Sequence, residues 1–421
     1  MDFELFMKAF IRIIVYISIY IGLFTLVFYL LGFLKKSKKL KNVTDFPFCS
    51  IIIPAYNEEN TLEKTIKSAI SLNYPKNKFE ILIIDDGSTD KTFYLAKKFE
   101  KEYSNVRAFT KKNGGKASAM NFGIDKSKGE FVISFDADSM VTSDSLRQMM
   151  PYFYDKDVMC VTPGMKVYKP KGILQRVQAI EYDFGIFLRK ALTRFNSVNV
   201  TPGPFSIYRK VFFEKYGGYD EKNITEDMEI AMRIQYHNYK IENSPESVVY
   251  TIAPNKLYAL ARQRRRWYFG MINNLWKYRD MFGKRYGELG IITLPLSVIS
   301  VVMVMTVTLY YIYRFIIDSI RDISLYSLIG FDFWNNLHVG WNVFLVNLYK
   351  YLSEPIILFA TLFIILNFTM LLYVNRRIKS IDRPISIFLN YVFFLYIYGI
   401  LFSFWWIIAI IYSIFKKEIK W

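Results

Sequence analysis

Short apolar runs alternate with amphipathic stretches through the middle of the chain, from about residue 45 to residue 285. Runs such as CSIII, EILIID and EFVISF have the length and composition of buried strands, and a stretch of helical periodicity follows each one. This alternation predicts an α/β domain whose mostly parallel sheet is covered by helices on both faces. Ligands of such sheets bind beyond the carboxyl ends of the strands, so the residues after each run form the candidate site.

Long uncharged stretches flank this block on both sides. Residues 13–34 include no charged side chain, span the roughly 30 Å apolar core of a bilayer, and are followed by the basic run KKSKKLK. The positive-inside rule predicts that this basic run and the domain after it are cytoplasmic. Further candidate crossings are residues 289–313, 355–374 and 385–415. The last is longer than one crossing needs, which predicts a tilt, a kink near Gly399 or a partly interfacial piece.

The hydrophobic pattern therefore divides the chain into four parts. Residues 333–349 are apolar but carry asparagines and a histidine, which favours an interfacial or re-entrant helix over a further crossing. The basic loop 375–383 is expected to be cytoplasmic. The parts are an N-terminal transmembrane helix with its basic flank (1–44), a cytosolic α/β domain (45–252), an interfacial helix with the run QRRRW (253–285), and a C-terminal membrane region of about three crossings (286–421).

Composition narrows the classes of protein that fit. Hydrophobic residues make up 52% of the chain and charged residues 22%, a combination typical of a membrane protein with one substantial water-facing domain. The net charge of +18 fits anionic lipid headgroups or a phosphate-bearing substrate better than nucleic acid. Cys49 and Cys160 lie far apart, which predicts reduced thiols. With only two histidines, any chemistry falls mainly to carboxylates.

Acidic and turn-forming residues follow three of the predicted strands, in PAYNEEN (54–60), DDGSTD (85–90) and DADS (136–139). Each stretch alone is also an ordinary turn or helix-cap sequence, but three at one sheet edge indicate a site. Asp136 and Asp138 are separated by one residue. After a buried strand, that spacing can bring two carboxylates to one Mg²⁺ or Mn²⁺ ion, which commonly bridges protein oxygens to a diphosphate.

Two further segments add candidate chemistry. The stretch NGGKASAMNFG (113–123) offers backbone N–H groups and Lys116 to a phosphate, although a loop with a helix cap explains it equally well. The stretch ITEDMEI (224–230) begins a helix with Thr225 as the N-cap. Glu226 and Asp227 then suit the helix dipole, or one of them is a general base for a sugar hydroxyl. The pattern does not choose between them.

Taken in order, PAYNEE, DDGSTD, GGKASAMN, DADS, TED and QRRRW resemble the motifs of family 2 glycosyltransferases with a GT-A fold. The last two resemble those of processive, membrane-embedded polysaccharide synthases. The likeness is greatest to the poly-N-acetylglucosamine synthases, with hyaluronan, chitin and cellulose synthases more distant, and it covers about residues 45–285. It implies a Rossmann-like nucleotide-sugar transferase domain with flanking transmembrane helices, multi-pass in the plasma membrane, with the catalytic domain in the cytoplasm.

The resemblance also implies residue roles. Asp136 and Asp138 hold the metal, Asp227 is the catalytic base and Glu226 supports it. Gln263 and Trp267 bind the acceptor, and the stretch TPGPFSIYR (201–209) is an acceptor-side loop. The residues that bind the nucleotide sugar are Ala55, Tyr56, Glu58, Asp85, Asp86, Lys116, Asp136 and Arg266.

Within QRRRW, helical spacing separates the residues. Gln263 and Arg266 are three apart and share a helix face, and Trp267 borders the same cleft. Arg264 and Arg265 are expected to be little more than surface charge facing phosphate or lipid. We therefore expect Arg264→Ala to be mild.

The reaction that the resemblance implies is a single inverting displacement. A UDP-sugar, expected to be UDP-N-acetylglucosamine, elongates a β-linked polysaccharide with Mg²⁺ or Mn²⁺ as cofactor. The implied partners are the donor, the polysaccharide or a lipid-linked acceptor, membrane lipids and an accessory membrane subunit, but no nucleic acid. One alternative is transfer of a single sugar to a lipid phosphate or lipid-linked acceptor. A non-catalytic scaffold or transporter is disfavoured because every motif acid is present.

Overall fold

The computed structural model describes residues 3–34, 46–328, 354–377 and 384–415, together with 345, 346, 348, 349 and 352. The basic run 35–41, most of the apolar segment 333–349 and most of the loop 375–383 lie outside the described residues. The topology predicted for those segments stays a prediction.

The central domain is built on an eight-stranded sheet with the order β3-β2-β1-β4-β7-β6-β8-β5. Strands β3, β2, β1 and β4 are parallel to one another. Strand β7 is antiparallel to both of its neighbours, and β5 is antiparallel to β8. The predicted parallel sheet is therefore found in the first half, whereas the second half is mixed. The strands are β1 (Cys49–Ala55), β2 (Phe79–Asp85), β3 (Val106–Thr110), β4 (Phe131–Ser134), β5 (Ser139–Val141), β6 (Val158–Val167), β7 (Ser206–Arg209) and β8 (Lys240–Thr251).

Helices cover both faces of the sheet and continue into the apolar ends of the chain. Single 3₁₀ turns lie at Lys76–Lys78, Met150–Tyr154, Arg279–Met281 and Lys284–Tyr286, and π turns at Leu289–Thr293 and Phe394–Tyr398. The α-helices are α1 (Phe3–Leu34), α2 (Leu62–Ile70), α3 (Thr92–Glu102), α4 (Lys116–Lys126), α5 (Ser145–Met149), α6 (Gly172–Thr193), α7 (Lys210–Tyr216), α8 (Glu226–Tyr236), α9 (Leu257–Lys277), α10 (Leu294–Leu328), α11 (Pro355–Arg377), α12 (Pro384–Phe393) and α13 (Gly399–Ile414).

Strand β1 explains why its run reads as continuously apolar. Ile51 and Ile53 pack into the core on one face with Leu62 of α2, whereas Ile52 packs on the other with Met120 of α4. All are fully buried. Burial of each such side chain stabilises the fold by about 1.5–3 kcal/mol. The carboxyl ends of the first strands are thereby fixed at one edge.

Within the described residues, two helices are long and apolar enough to cross a membrane, at Ala9–Gly32 and Leu289–Ser324. Ile357–Tyr373 and Leu401–Ile414 are shorter apolar helices. The π turn Phe394–Tyr398 ends directly before Gly399, the position at which the sequence left a kink open. Such turns are common where a helix is irregular or functional.

Helices α6 and α9 join the sheet domain to the apolar helices. Leu260 and Tyr268 of α9 pack in one buried cluster with Trp406 of α13. Ile180 of α6 packs with Leu371 of α11, and with residues of α12. The interfacial helix predicted around QRRRW is α9, and both of its sides are in contact with protein.

Candidate active site

The loops after β1 and β2 are hydrogen-bonded to each other. The backbone N–H of Asn57 donates to Oγ of Ser88 at 2.9 Å, and Oδ1 of Asn57 accepts from the backbone N–H of Thr89 at 2.9 Å. Asn57 has φ of 56°, a left-handed conformation that asparagine tolerates better than most residues. Within the same loop Ala55 is buried and Tyr56 is half exposed. Two of the predicted donor-binding motifs therefore form one fixed surface.

Asp85 and Asp86 are both buried, and each carboxylate has partners in the chain. Oδ2 of Asp85 accepts from the hydroxyl of Thr110 at 2.7 Å. Oδ2 of Asp86 accepts from the backbone N–H of Gly115 at 2.7 Å, and Lys111 donates to its Oδ1 at 2.8 Å. Gly115 has φ of +86°, which favours glycine. These acids position the loop before α4, and their predicted contact with uridine stays a prediction.

Lys116, the first residue of α4, links two motifs that lie far apart in the sequence. Its Nζ is 2.6 Å from Oδ1 of Asp136 and 3.0 Å from Oε1 of Glu226. Burial of Lys116 opposes its charge, but the neighbouring carboxylates outweigh this and raise its pKa. A Cβ on Gly203 would stand 2.7 Å from Nζ of Lys116, so only glycine fits beside the pair without displacement. The DADS, TED and TPGP motifs thus meet at one cation.

Asp138 lies beside Asp136 and Glu58 at the end of β4. Burial raises the pKa of Asp138 to about 6, and the charges of Asp136 and Glu58 add to the shift. Burial likewise raises the pKa of Glu58. In the part of the chain that the structure describes, no cluster of three or more His, Cys, Asp or Glu side chains is arranged to hold a metal ion. Carboxylates are ligands that Mg²⁺ and Mn²⁺ prefer, and an ion at this pair would need its remaining oxygen ligands from a diphosphate and water.

The two acids of the TED motif have different surroundings. Glu226 is committed to Lys116, whereas Oδ1 of Asp227 accepts only a 2.8 Å hydrogen bond from the N–H of Met228 among the contacts that the structure gives its carboxylate. Burial raises the pKa of Asp227 to about 7, and Glu226 adds to the shift, while Lys116 and Arg266 oppose it. A carboxylate whose pKa lies near neutral pH is suited to general-base catalysis. The two acids are therefore not equivalent in the structure, and Asp227 remains the base that the resemblance implies.

The loop before β7 is held against the same helix. The hydroxyl of Thr201 donates to the carbonyl oxygen of Asp227 at 2.7 Å. Phe205 has φ of +60°, a strained conformation for an aromatic residue, and is fully buried with its ring 5.1 Å from that of Phe135. Strain of this kind persists only where packing fixes it. The acceptor-side loop predicted at 201–209 therefore lies beside the candidate base.

Helices α8 and α9 touch at Thr225 and Gly270. A Cβ on Gly270 would stand 2.2 Å from Oγ1 of Thr225, so no larger residue fits at this separation. Thr225 occupies the predicted N-cap position, but its side chain does not cap the helix. Its Oγ1 instead accepts from Nδ2 of Asn274 at 3.0 Å. The helix that carries Asp227 is thereby fixed to the helix that carries QRRRW.

A second contact between these helices surrounds Glu229, which is 1% exposed. Nζ of Lys277 lies 2.8 Å from Oε1 of Glu229, and the hydroxyl of Tyr278 donates to the same oxygen at 2.7 Å. Arg233 lies 3.1 Å from Oε2. Buried carboxylates are stable only when partners of this kind compensate their charge.

The expectation that Arg264 is surface charge is wrong. Arg264 is 0% exposed, its Nη2 donates to Oε2 of Glu181 at 2.6 Å, and its Nε donates to the hydroxyl of Tyr398 at 3.0 Å. The Tyr398 hydroxyl in turn donates to Oε2 of Glu181 at 2.7 Å. Arg264 therefore joins α9 to α6 and to the last apolar segment, because the tertiary structure supplies partners that α9 alone does not have.

The other residues of QRRRW are partly buried. Arg265 was also expected at the surface, but its Nη1 donates to the hydroxyl of Tyr412 at 3.2 Å. Arg266 lies close enough to Asp227 to influence its pKa. Oε1 of Gln263 is buried and has no hydrogen-bond partner among the described residues. The ring centroid of Trp267 is 4.0 Å from the guanidinium carbon of Arg264, so this arginine fixes the indole.

Sequence reasoning missed the residues that hold the site together, namely Gly203, Gly270, Glu181, Glu229 and Tyr398. Gly203 lies in the TPGP stretch, where a glycine between two prolines was a signal. Glu229 is the third acid of α8, on its buried side. Nothing local distinguishes Glu181 from the other charged residues of α6, or Tyr398 from the other tyrosines of the last apolar segment.

Comparison with known proteins decides what this domain is. The model of the family "Glycosyl transferase family 2" matches residues 50–217. Residues 50–217 therefore carry the sequence pattern of a family 2 glycosyltransferase domain. Poly-beta-1,6-N-acetyl-D-glucosamine synthase from Staphylococcus aureus (strain MSSA476) is 31% identical over 228 residues, which are 54% of this chain and 55% of the relative. The enzyme of that name from Staphylococcus epidermidis is 30% identical over 220 residues, 52% of this chain and 53% of the relative. The chain thus matches about half the length of these curated relatives.

The fold of the whole chain also has a solved counterpart. The mannosyltransferase PcManGT from Pyrobaculum calidifontis, in complex with GDP-Man and Mn²⁺, is similar over 98% of this chain and 99% of its own, with a TM-score of 0.65 and 18% identity. At that identity the likeness concerns the fold alone. The GT-A fold of the domain and the arrangement of flanking apolar helices are therefore shared with a known glycosyltransferase structure.

Proposed function

We propose that the protein is a membrane-bound glycosyltransferase that transfers a sugar from a UDP-sugar, expected to be UDP-N-acetylglucosamine, to the end of a growing β-linked polysaccharide. One observation carries the proposal: Lys116, Glu226, Asp227 and Arg266 meet at the edge of the sheet where the strand-end acids lie. The staphylococcal relatives support the choice of donor and product.

In the proposed reaction Asp227 takes the proton from the attacking hydroxyl of the acceptor sugar. The carboxylate of Asp227 forms an O–H bond with this proton. At the same time the hydroxyl oxygen bonds to the anomeric carbon, and the bond from that carbon to the diphosphate breaks so that UDP leaves. This reaction is a single displacement without a carboxylate nucleophile, so the configuration at the anomeric carbon inverts. Arg266 lies near Asp227, where its charge stabilises negative charge that develops on the diphosphate.

Asp136 and Asp138 would hold a Mg²⁺ or Mn²⁺ ion. When bound, the ion would neutralise charge on the diphosphate and so improve it as a leaving group. The chain's own contribution is to hold the pair in place. Lys116 draws Asp136 toward Glu226, and Asp138 accepts a 3.1 Å hydrogen bond from Oγ of Ser139.

The acceptor would lie between Trp267, Gln263 and the loop at 201–209. Aromatic rings offer sugars an apolar face, and the buried Oε1 of Gln263 offers an acceptor to a sugar hydroxyl. The apolar helices support attachment to a membrane, and the basic run at 35–41 supports a cytoplasmic position for the domain. A growing polymer then lies beside the apolar helices, where an accessory membrane subunit could bind it.

The test is a product assay with the purified protein in lipid nanodiscs. Radiolabelled UDP-N-acetylglucosamine with Mg²⁺ or Mn²⁺ should give UDP release and polymer of high molecular mass, both lost in Asp227→Asn. GDP-mannose, which the Pyrobaculum protein binds, serves as the competing donor. Organic-soluble product with one added sugar would establish the single-transfer alternative instead, and turnover of GDP-mannose alone would overturn the choice of donor.

A further inference from the structure

A groove of about 810 Å³ lies on α9 away from the candidate active site. The C-terminal half of α9, the start of α10 and the end of α13 form its walls. On α9, Gly270 and Asn274 contact Thr225 of α8, whereas Met271 and Leu275 line the groove. Its volume lies within the range of about 300–1,000 Å³ typical of ligand sites. The reaction proposed above uses none of its walls.

The lining changes from polar to apolar along the helices. The two serines in the lining lie near helix termini: Ser297 is in the first turn of α10, and Ser413 is in the last turn of α13. Further along the same helices the lining consists of Val301, Val302 and Trp406. A sugar chain would leave its hydroxyl groups unpaired against these side chains, whereas a hydrocarbon chain would not.

The lining of the groove also includes cationic side chains. Lys277 and Arg279 line it, and the stretch 277–286 contains four cationic residues and one acid, a net charge of 4 − 1 = +3. Lys277 is already paired with two acids, Asp220 at 3.0 Å and Glu229 at 2.8 Å, so the charge offered to a ligand comes from Arg279. Arg279 donates to the carbonyl oxygen of Trp276 and lies over its indole ring, which is 72% exposed. An exposed tryptophan beside an arginine is typical of the surface of a membrane.

We propose that this groove binds one anionic phospholipid, with an acyl chain along the apolar lining and the phosphate at Arg279. Charge selects the occupant, because a basic rim above an apolar slot matches an anionic headgroup above its chain. The proposal rests on the membrane placement given under the proposed function, but not on the donor or the product. The lipid is a bound component and does not accept sugar, since the groove lies on a different face of α9 from Gly270.

The experiment measures phospholipid binding by native mass spectrometry of the full chain, with phosphatidylglycerol and phosphatidylcholine of identical acyl chains as probes. The wild-type protein should bind one phosphatidylglycerol at least tenfold more tightly than phosphatidylcholine. Val298→Trp should weaken phosphatidylglycerol binding at least tenfold because the indole fills the groove. Arg279→Glu should reduce the preference between the two lipids to less than threefold.

Two matched controls separate the groove from general effects. Val298 and Val304 lie on α10 with 38% and 39% exposure, but only Val298 lines the groove, so Val304→Trp should bind lipid like the wild type. Arg262 also lies over an aromatic ring on α9, outside the groove, so Arg262→Glu should keep the preference. Equal affinity of the wild type for the two lipids, or equal effects of Val298→Trp and Val304→Trp, would overturn the proposal. Failure of the wild type to enter membranes at all would instead contradict the membrane placement.

Discussion

The guanidinium carbon of Arg264 lies 4.0 Å from the ring centroid of Trp267, and Nη2 of Arg264 lies 2.6 Å from Oε2 of Glu181. The proposed acceptor platform is therefore held by a buried charge whose partner belongs to another helix. A cation over an indole is stabilising when both are withdrawn from water. The orientation of Trp267 thus depends on α6 as well as on α9.

We expect Arg264→Ala to destabilise the protein by about 3 kcal/mol, because it leaves Glu181 and Tyr398 without their cationic partner. Cys49 and Cys160 are fully buried, so a thiol-reactive dye reports the unfolding of the domain on heating. Arg262→Ala, on an exposed arginine of the same helix, should change stability by about 0.5 kcal/mol or less. Similar melting curves for the two variants would show that Arg264 contributes no more to stability than an exposed arginine does.

Trp267→Ala should separate activity from folding. The ion pair between Arg264 and Glu181 remains in this variant, so thermal unfolding should shift much less than in Arg264→Ala. Loss of the aromatic face should lower kcat/KM for acceptor elongation about tenfold or more, on the order of 1.5 kcal/mol. Trp267→Phe keeps an aromatic face and should recover part of the loss. Polymer synthesis at the wild-type rate by Trp267→Ala would exclude the indole from acceptor binding.

Gly270→Ala should force α8 and α9 apart, because the new methyl group would stand 2.2 Å from Oγ1 of Thr225. Overpacking of this kind costs about 1–3 kcal/mol. Since Thr225 directly precedes the helix of Asp227, kcat should fall more than donor KM rises. Gly399→Ala is the control, because that glycine has helical φ and nothing within 4 Å of an added Cβ. Unchanged kinetics in Gly270→Ala would show that the helix spacing does not matter for catalysis.

The pH dependence should report Asp227. A general base must be deprotonated, and the pKa of Asp227 is raised to about 7, so kcat/KM should fall about tenfold per pH unit below pH 7 and level off above it. Between the ordinary pKa of an aspartate and pH 7, Asp227 is therefore protonated in the folded protein but ionised in the unfolded chain. Ionisation of Asp227 therefore costs stability as pH rises through that window.

The matching variant is Asp227→Asn, which should lower kcat by about 10²–10⁴-fold and abolish this limb of the profile. Glu226→Gln should keep the limb, because Glu226 pairs with Lys116 and is a positioning residue. A profile in which Glu226→Gln loses the acidic limb and Asp227→Asn keeps it would reverse the two assignments.

Removal of divalent metal should abolish sugar transfer, and Mg²⁺ or Mn²⁺ should restore it. Asp138→Asn should need about 10–100-fold more metal for half-maximal activity. Asn73→Ala, at a polar residue away from the pair, should respond like the wild type. A metal requirement that is identical in Asp138→Asn and in the wild type would place the ion elsewhere.

The sequence predicted the parallel half of the sheet and the convergence of the acids because both follow from local pattern. The runs that become β1, β2 and β4 are short, apolar and followed by turn residues, whereas β3 (Val106–Thr110) contains an arginine and was not among the predicted strands. The mixed half was not predictable in the same way. Strand β7 lies between β4 and β6, and β8 lies between β6 and β5, so the neighbours are not consecutive in the chain.

The misassignment of Arg264 has a similar cause. Three consecutive arginines have the same local chemistry, and helical spacing alone cannot say which one has a buried partner. Glu181 is 83 residues before Arg264, and Tyr398 is 134 residues after it. Only the packing of α6 and the last apolar segment against α9 makes Arg264 the buried one. The residue pattern alone left Asp227 and Glu226 equivalent, and the ion pair between Lys116 and Glu226 distinguishes them in the structure.

The bond between Arg264 and Tyr398 has a consequence for how the protein is made. At about 5–20 residues per second, a ribosome needs roughly 7–27 s to synthesise the 134 residues between them. During that interval the sheet and its acids are complete, but Arg264 lacks its last partner. Packing of the final apolar segment against α9 is then the step that completes the proposed acceptor side. A nascent chain that stalls before this step has the motif acids but no finished acceptor platform.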